Sequence, residues 1–185
     1  MRNLVYAINM TADSCCDHTK GIPSDEILDF HANLLRNADV LLFGRITYQL
    51  MVPYWPDIAK NHSDTRSTNE FADTFDAVDK IVVVSKSLDR PEGKKTQIIR
   101  KDLKDEILKL KQGEGKNILV GGVDIPSQLI RLGLVDEYYF VIQPIIVGEG
   151  RRLLEGISLP ATLQLKLVES KIFPSGCVAL HYLNR

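Results

Sequence analysis

Asp39-Val-Leu-Leu-Phe-Gly-Arg-Ile-Thr-Tyr-Gln-Leu-Met-Val-Pro-Tyr-Trp-Pro56 holds the transition on which the reading of the fold turns. Val40–Phe43 is a continuous apolar run ending at Gly44. That is the pattern of a strand buried on both faces, which belongs in a parallel sheet covered by helices. Ile46–Met51 suits a short helix that must stop before Pro53.

The same alternation extends outward in both directions. Upstream, Leu4–Ile8 reads as a strand, and Ile22-Pro-Ser-Asp25 opens a helix with apolar residues at 27, 30, 34, 35 and 38. Downstream, Asn61 to Asn69 is the longest polar stretch and reads as a loop, a candidate mobile segment. Ile81–Val84 and Thr96–Ile99 read as strands. Leu103–Lys111 reads as a helix that Asp102 is placed to cap and Gly113 to end. After the strand Ile118–Val120, Asp124 is expected to cap a helix with Pro126 in its first turn and Gly133 just past its end. The pattern then changes to strands alone: Tyr138–Val147, Thr162–Phe173 and Cys177–Leu183, the last two joined at Pro174-Ser175-Gly176. Together these predict one α/β domain over residues 1–185: a three-layer arrangement with a mostly parallel sheet, helices on both faces and a C-terminal antiparallel hairpin.

Composition narrows the function classes. Of 185 residues, 44% are hydrophobic and 25% charged, ordinary globular usage. A net charge of −1 gives no basic field for nucleic acid or an anionic membrane, so neither is expected as a partner. With no secretory or membrane-spanning stretch, a cytoplasmic location is expected. The cysteines 15, 16 and 177 are then expected as reduced thiols. Cys15-Cys16-Asp17-His18 has zinc-binding residue types without the spacing, so no metal site is assigned.

In open sheets of this kind ligands bind beyond the carboxyl ends of strands. Three such ends carry small or polar residues: Gly44-Arg45-Ile46-Thr47, Ser85-Lys86-Ser87 and Gly121-Gly122. Glycine permits close backbone approach, helix N-termini suit phosphate, and Arg45 and Lys86 supply charge beside the Thr47 and Ser85 hydroxyls. Singly, each is as well explained by a tight turn with a solvated charge. Neither G-x-G-x-x-G nor a P-loop sequence is present, which excludes the commonest nucleotide-binding motifs.

The segment from Asp39 to Pro56 resembles the GR-x-TY…YWP block of bacterial dihydrofolate-reductase-like proteins related to the reductase domain of riboflavin biosynthesis, the RibD C-terminal type. Three further blocks resemble that family in the same order: Lys80–Leu88, Ile118–Gly122, and Leu129–Glu137 with Pro144–Gly150. The resemblance implies an eight-stranded dihydrofolate-reductase-like sheet, NADPH as cofactor and hydride transfer to a small heterocyclic or ribosylamino-pyrimidine-like substrate. By that likeness Gly44, Arg45, Ile46 and Thr47 match the cofactor-phosphate loop, Ser85 and Lys86 the adenosine-phosphate side, and Gly121, Gly122, Val123 and Asp124 the pyrophosphate and nicotinamide turn.

The substrate edge departs from the pattern. Thr11-Ala12-Asp13-Ser14 stands where relatives carry S-L-D-G, leaving Asp13 as the first candidate acid. Ile22-Pro23-Ser24-Asp25 resembles the L-P-x-D of dihydrofolate reductases and makes Asp25 the second. Tyr48, Trp55 and His31 are candidate substrate contacts, each also explicable as packing. Asp136 and Glu137, as neighbours on a strand, should diverge and serve structure. A non-catalytic NADP(H)-binding protein and a weak dihydrofolate reductase stand as alternatives. The apolar strands near the C-terminus suggest a homodimer.

Overall fold

The run Val40–Phe43 is buried throughout and forms the centre of β2 (Ala38–Gly44), as its unbroken apolar character requires. The structure, a computed structural model, describes residues 1–92 and 95–185. Around β2 run β1 (Leu4–Thr11), α1 (Asp25–Arg36), α2 (Arg45–Met51), α3 (Trp55–Asn61), α4 (Arg66–Asp76), β3 (Lys80–Val84), β4 (Thr96–Ile99), α5 (Leu103–Gln112), β5 (Asn117–Val120), α6 (Asp124–Arg131), β6 (Glu137–Gln143), β7 (Leu165–Ile172) and β8 (Val178–Asn184). The eight strands hydrogen-bond in the order β4-β3-β2-β5-β1-β6-β8-β7, a mostly parallel sheet with an antiparallel C-terminal hairpin. The chain divides into two compact units, Met1–Arg2 with Pro23–Leu119 and Asn3–Ile22 with Val120–Arg185.

In the first unit β2, β3 and β4 pair in parallel, with Gly44 opposite Val84 and Val84 opposite Ile99. Helix α1 buries Ile27, Ala32 and Leu35 and packs on α4, which buries Phe71, Ala72 and Phe75. Burying each such Phe is worth about 2 kcal/mol. Several expectations need correction here. Ala38 begins β2 instead of extending α1. The stretch Asn61 to Asn69 is no continuous loop: α3 ends at Asn61, and α4 starts at Arg66, capped by Thr65, whose hydroxyl accepts the Thr68 N–H at 3.2 Å. Its polar first turn hid the Phe71/Phe75 spacing that makes the helix worth forming. Asp102 precedes α5 at φ +51 without a side-chain cap, and Gly113 leaves that helix in extended geometry.

Tyr48 is corrected as well. Its side chain is only 1% exposed, so it is core and not a substrate contact. Its hydroxyl donates to the Glu92 carbonyl at 2.6 Å and accepts the Glu92 N–H at 2.7 Å, tying the segment before β4 to α2.

In the second unit β1 and β6 are parallel, and β8 lies between β6 and β7, antiparallel to both. Strand β6 stops at Gln143 instead of Val147, because Pro144 has no N–H to continue a ladder. Strand β7 is shorter at both ends than Thr162–Phe173. Val123, not Asp124, is the N-cap of α6, and Asp124 is its first residue. Gly133 takes φ +67, and the N–H groups of Gly133 and Leu134 return to the carbonyls of Ile130 and Leu129, the closure a glycine past a helix end allows. Asp136 accepts the Leu4 N–H at 2.7 Å and Glu137 contacts His181 at 3.1 Å, structural roles for both carboxylates. Among the described residues, no helix is long and apolar enough to cross a membrane.

Tyr48→Phe removes the hydroxyl that serves both backbone groups of Glu92. Equilibrium urea unfolding should show a loss of about 1–3 kcal/mol.

Candidate functional site

The candidate residues fall into two sets, one in each unit. In the first unit, parallel register aligns the ends of β2, β3 and β4. The next residues along the chain are Arg45, Ser85 and Arg100, so three neighbouring strands present their following residues along one edge. Arg45 is exposed and donates to Gln49 Oε1 at 2.9 Å. Among the described residues, neither Arg45 nor the exposed Lys86 has a carboxylate within ion-pair distance. Arg36, Lys60 and Lys109 of the same unit each have one, and Arg66 has two. Two cations left uncompensated at adjacent strand ends make a local positive field able to hold an anion.

Ser85 is buried, and its hydroxyl accepts the N–H groups of Ser87 at 3.2 Å and Leu88 at 3.0 Å. It therefore shapes the turn that carries Lys86. Gly44 is the N-cap of α2 at φ −78, a conformation open to any residue, so its use there is lack of bulk and not backbone freedom. Ile46 is 56% exposed on α2, while Thr47 is half-buried.

Of the other first-unit candidates, Trp55 packs: its ring lies 4.4 Å from that of Phe71, and Nε1 donates to Met51 Sδ at 3.3 Å. His31 is half-buried on α1 with its ring 5.7 Å from Phe30. Burial pushes its pKa down to about 4, so the imidazole is neutral at pH 7. Asp25 is exposed at the first position of α1, and its Oδ1 accepts the Thr65 hydroxyl at 3.1 Å. That joins the starts of α1 and α4.

In the second unit Asp13 follows β1 and gathers donors. Oδ1 accepts the Thr11 hydroxyl and the Val147 N–H at 3.3 Å, and Oδ2 accepts the Gly148 N–H at 2.8 Å. Led by the Thr11 bond, these contacts hold its pKa down at about 2. A group so ionised at neutral pH is a poor proton donor, and its oxygens already bind the 147–148 turn. The expectation of Asp13 as the acid is corrected on that ground: it is a clamp.

Gly121 and Gly122 follow β5. Gly122 takes φ +91, which a side chain would strain, and its carbonyl accepts the hydroxyl of fully buried Tyr6 at 3.0 Å. Val123 follows at φ −118, and Asp124 pairs with Arg151. A cavity of 640 Å³ in this unit is lined mainly by apolar side chains, among them Ile130, Tyr138, Phe140 and Leu163, and contains none of the candidate residues.

Sequence reasoning missed Tyr6, Arg100 and Arg151. A tyrosine inside an apolar strand and an arginine after β4 look unremarkable until register pairs them with their targets.

The chain belongs to the RibD C-terminal domain family, whose pattern it matches over residues 4–179. It is 29% identical over 191 residues to the uncharacterized protein YyaP of Bacillus subtilis (strain 168), covering 98% of this chain and 94% of that protein. A structure attributed to riboflavin biosynthesis from Shewanella sp. PV-4 superposes at TM-score 0.69 with 18% identity, covering 100% of this chain and 99% of that one. The Thermotoga maritima diaminohydroxyphosphoribosylaminopyrimidine deaminase/5-amino-6-(5-phosphoribosylamino)uracil reductase superposes at TM-score 0.68 with 14% identity, covering 100% of this chain and 57% of that one. The family and the dihydrofolate-reductase-like fold are thus those the sequence resemblance implies.

Asp13→Asn should lower the melting temperature at pH 7. Because the folded-state pKa is depressed, the stabilisation is complete above the unfolded value of about 4 and disappears as pH falls through about 2. The difference between wild type and variant should therefore narrow across that window in thermal melts.

Proposed function

We propose that this chain is an NADPH-dependent reductase that transfers hydride to a C=N or C=O bond of a small heterocyclic or ribosylamino-pyrimidine-like substrate. The observation that carries the reading is the pair of cations without carboxylate partners, Arg45 and Lys86, at the ends of neighbouring parallel strands in a chain of this family. Their chemistry fits phosphate: Arg45 as a planar fork and Lys86 as a point charge, beside the Thr47 hydroxyl and the compact Gly44. Gly121 and Gly122, the latter held by Tyr6, offer backbone without side-chain bulk, as the family likeness assigns to the pyrophosphate and nicotinamide turn. When bound, the nicotinamide supplies the hydride. Asp13 keeps its turn ordered as a carboxylate, so water delivers the proton to the substrate.

A non-catalytic NADP(H)-binding protein is favoured instead by one observation: Tyr48 and Trp55 are engaged in packing, which leaves the substrate side with fewer polar groups. The working location in this reading is the cytoplasm. The homodimer reading draws on the exposed apolar side chains Leu167, Val168 and Ile172 of β7. Light scattering should give twice the chain mass, and a monomer at micromolar concentration would refute it.

Titration with NADPH, followed by nicotinamide fluorescence, should show binding below millimolar concentration. Arg45→Ala should weaken it about tenfold or more, the loss of a charge-assisted phosphate contact. No binding by wild type, or unchanged affinity in the variant, refutes the cofactor assignment. Oxidation of NADPH with a ribosylamino-pyrimidine or a pterin then separates the reductase from the non-catalytic reading.

A further inference from the structure

Arg100 immediately follows β4, and the register that sets Ile99 opposite Val84 brings it to the turn after β3. Its Nη2 donates to the Leu88 carbonyl at 2.8 Å and to the Asp89 carbonyl at 3.4 Å, and Nη1 donates to the Lys86 carbonyl at 3.4 Å. The Ser85 hydroxyl holds the N–H groups of Ser87 and Leu88 from within the same turn. The turn thus has its amides fixed by Ser85 and its carbonyls by Arg100, although it belongs to no helix or strand. Among the described residues, Arg100 has no carboxylate within ion-pair distance. Its charge therefore adds to those of Arg45 and Lys86 along the ends of β2, β3 and β4.

We propose that Arg100 is a positioning residue: by gripping three carbonyls it holds the Ser85–Asp89 turn in the shape that points Lys86 at the extra phosphate of NADPH, and so sets the preference for NADPH over NADH. This rests on the cofactor reading above and adds the residue that enforces its selectivity. The geometry explains why a lysine would not serve. An ammonium is a compact point charge, whereas the planar fork spans carbonyls on separate residues. A long flexible Lys86 side chain gains discrimination only when the backbone beneath it is fixed, since ordering both at once costs binding free energy.

The test measures dissociation constants for NADPH and NADH with wild type, Arg100→Ala, Arg100→Lys and Lys86→Ala. The two nucleotides differ only by a phosphate. Loss of selectivity therefore appears as a fall in NADPH affinity with NADH affinity held, while general structural damage weakens both together. Wild type should prefer NADPH by about tenfold or more, and Arg100→Ala should lose most of that preference. Arg100→Lys should lose it too, having the charge but not the fork, and exposed Lys86→Ala should match Arg100→Ala.

Retained preference in Arg100→Ala or in Lys86→Ala overturns the proposal, as does a parallel loss for both nucleotides. Full retention in Arg100→Lys would show that charge alone acts and overturns the positioning role. A wild type that binds both nucleotides equally overturns this inference and leaves the cofactor reading standing. A wild type that binds neither removes that reading itself.

Discussion

The parallel register of β2, β3 and β4 is the constraint on which the candidate site depends. Gly44, Val84 and Ile99 are aligned because three short strands stack their backbone ladders in one direction. Whatever follows each strand is then delivered to the same edge. A slip of one residue would exchange the faces on which Ile81, Val82 and Val83 pack and separate Arg45 from Ser85. Hydrophobic burial therefore fixes the positions of charged groups that contribute little to stability themselves.

Positive charge at that edge is arranged differently from charge on the α1–α4 surface. There, Arg36 and Arg66 share Glu70 and Arg66 also pairs with Asp29, an ion-pair ladder that joins the two helices. At the strand ends, the cations are left without acids and the hydroxyls and carbonyls nearby are used to shape turns. The second unit applies the same economy around glycine: buried Tyr6 holds the Gly122 carbonyl, and Asp13 holds the 147–148 amides. In both units a turn with few apolar contacts of its own is fixed by a side chain from an adjoining strand or strand end.

Much of this was legible in the sequence, and the reason is periodicity. Val40–Phe43, Ile81–Val84 and Ile118–Val120 are apolar without interruption because both faces are covered, and Gly44 and Gly122 mark the places where a chain turns closely. What was not legible has a common cause. Helix α4 begins in polar residues whose value lies in Thr65 as a cap, while Phe71 packs on Trp55 and Phe75 stacks with Phe43 further along the helix. Tyr48 looked available to a ligand until its hydroxyl was found bound to Glu92, forty-four positions away. Asp13 has the composition of an acid, yet donors distant in sequence make it a lasting carboxylate. Arg100 is an ordinary surface arginine in one dimension and a clamp in three. Local pattern specifies elements; partners brought together by register specify roles.

The most direct test of the account is backbone amide NMR during titration with 2′,5′-ADP, the phosphorylated adenosine half of the nucleotide. The account predicts saturable shifts concentrated at Gly44–Tyr48, Ser85–Asp89 and Arg100. Absence of saturable shifts, or shifts centred on the apolar cavity lined by Ile130, Phe140 and Leu163, would contradict it.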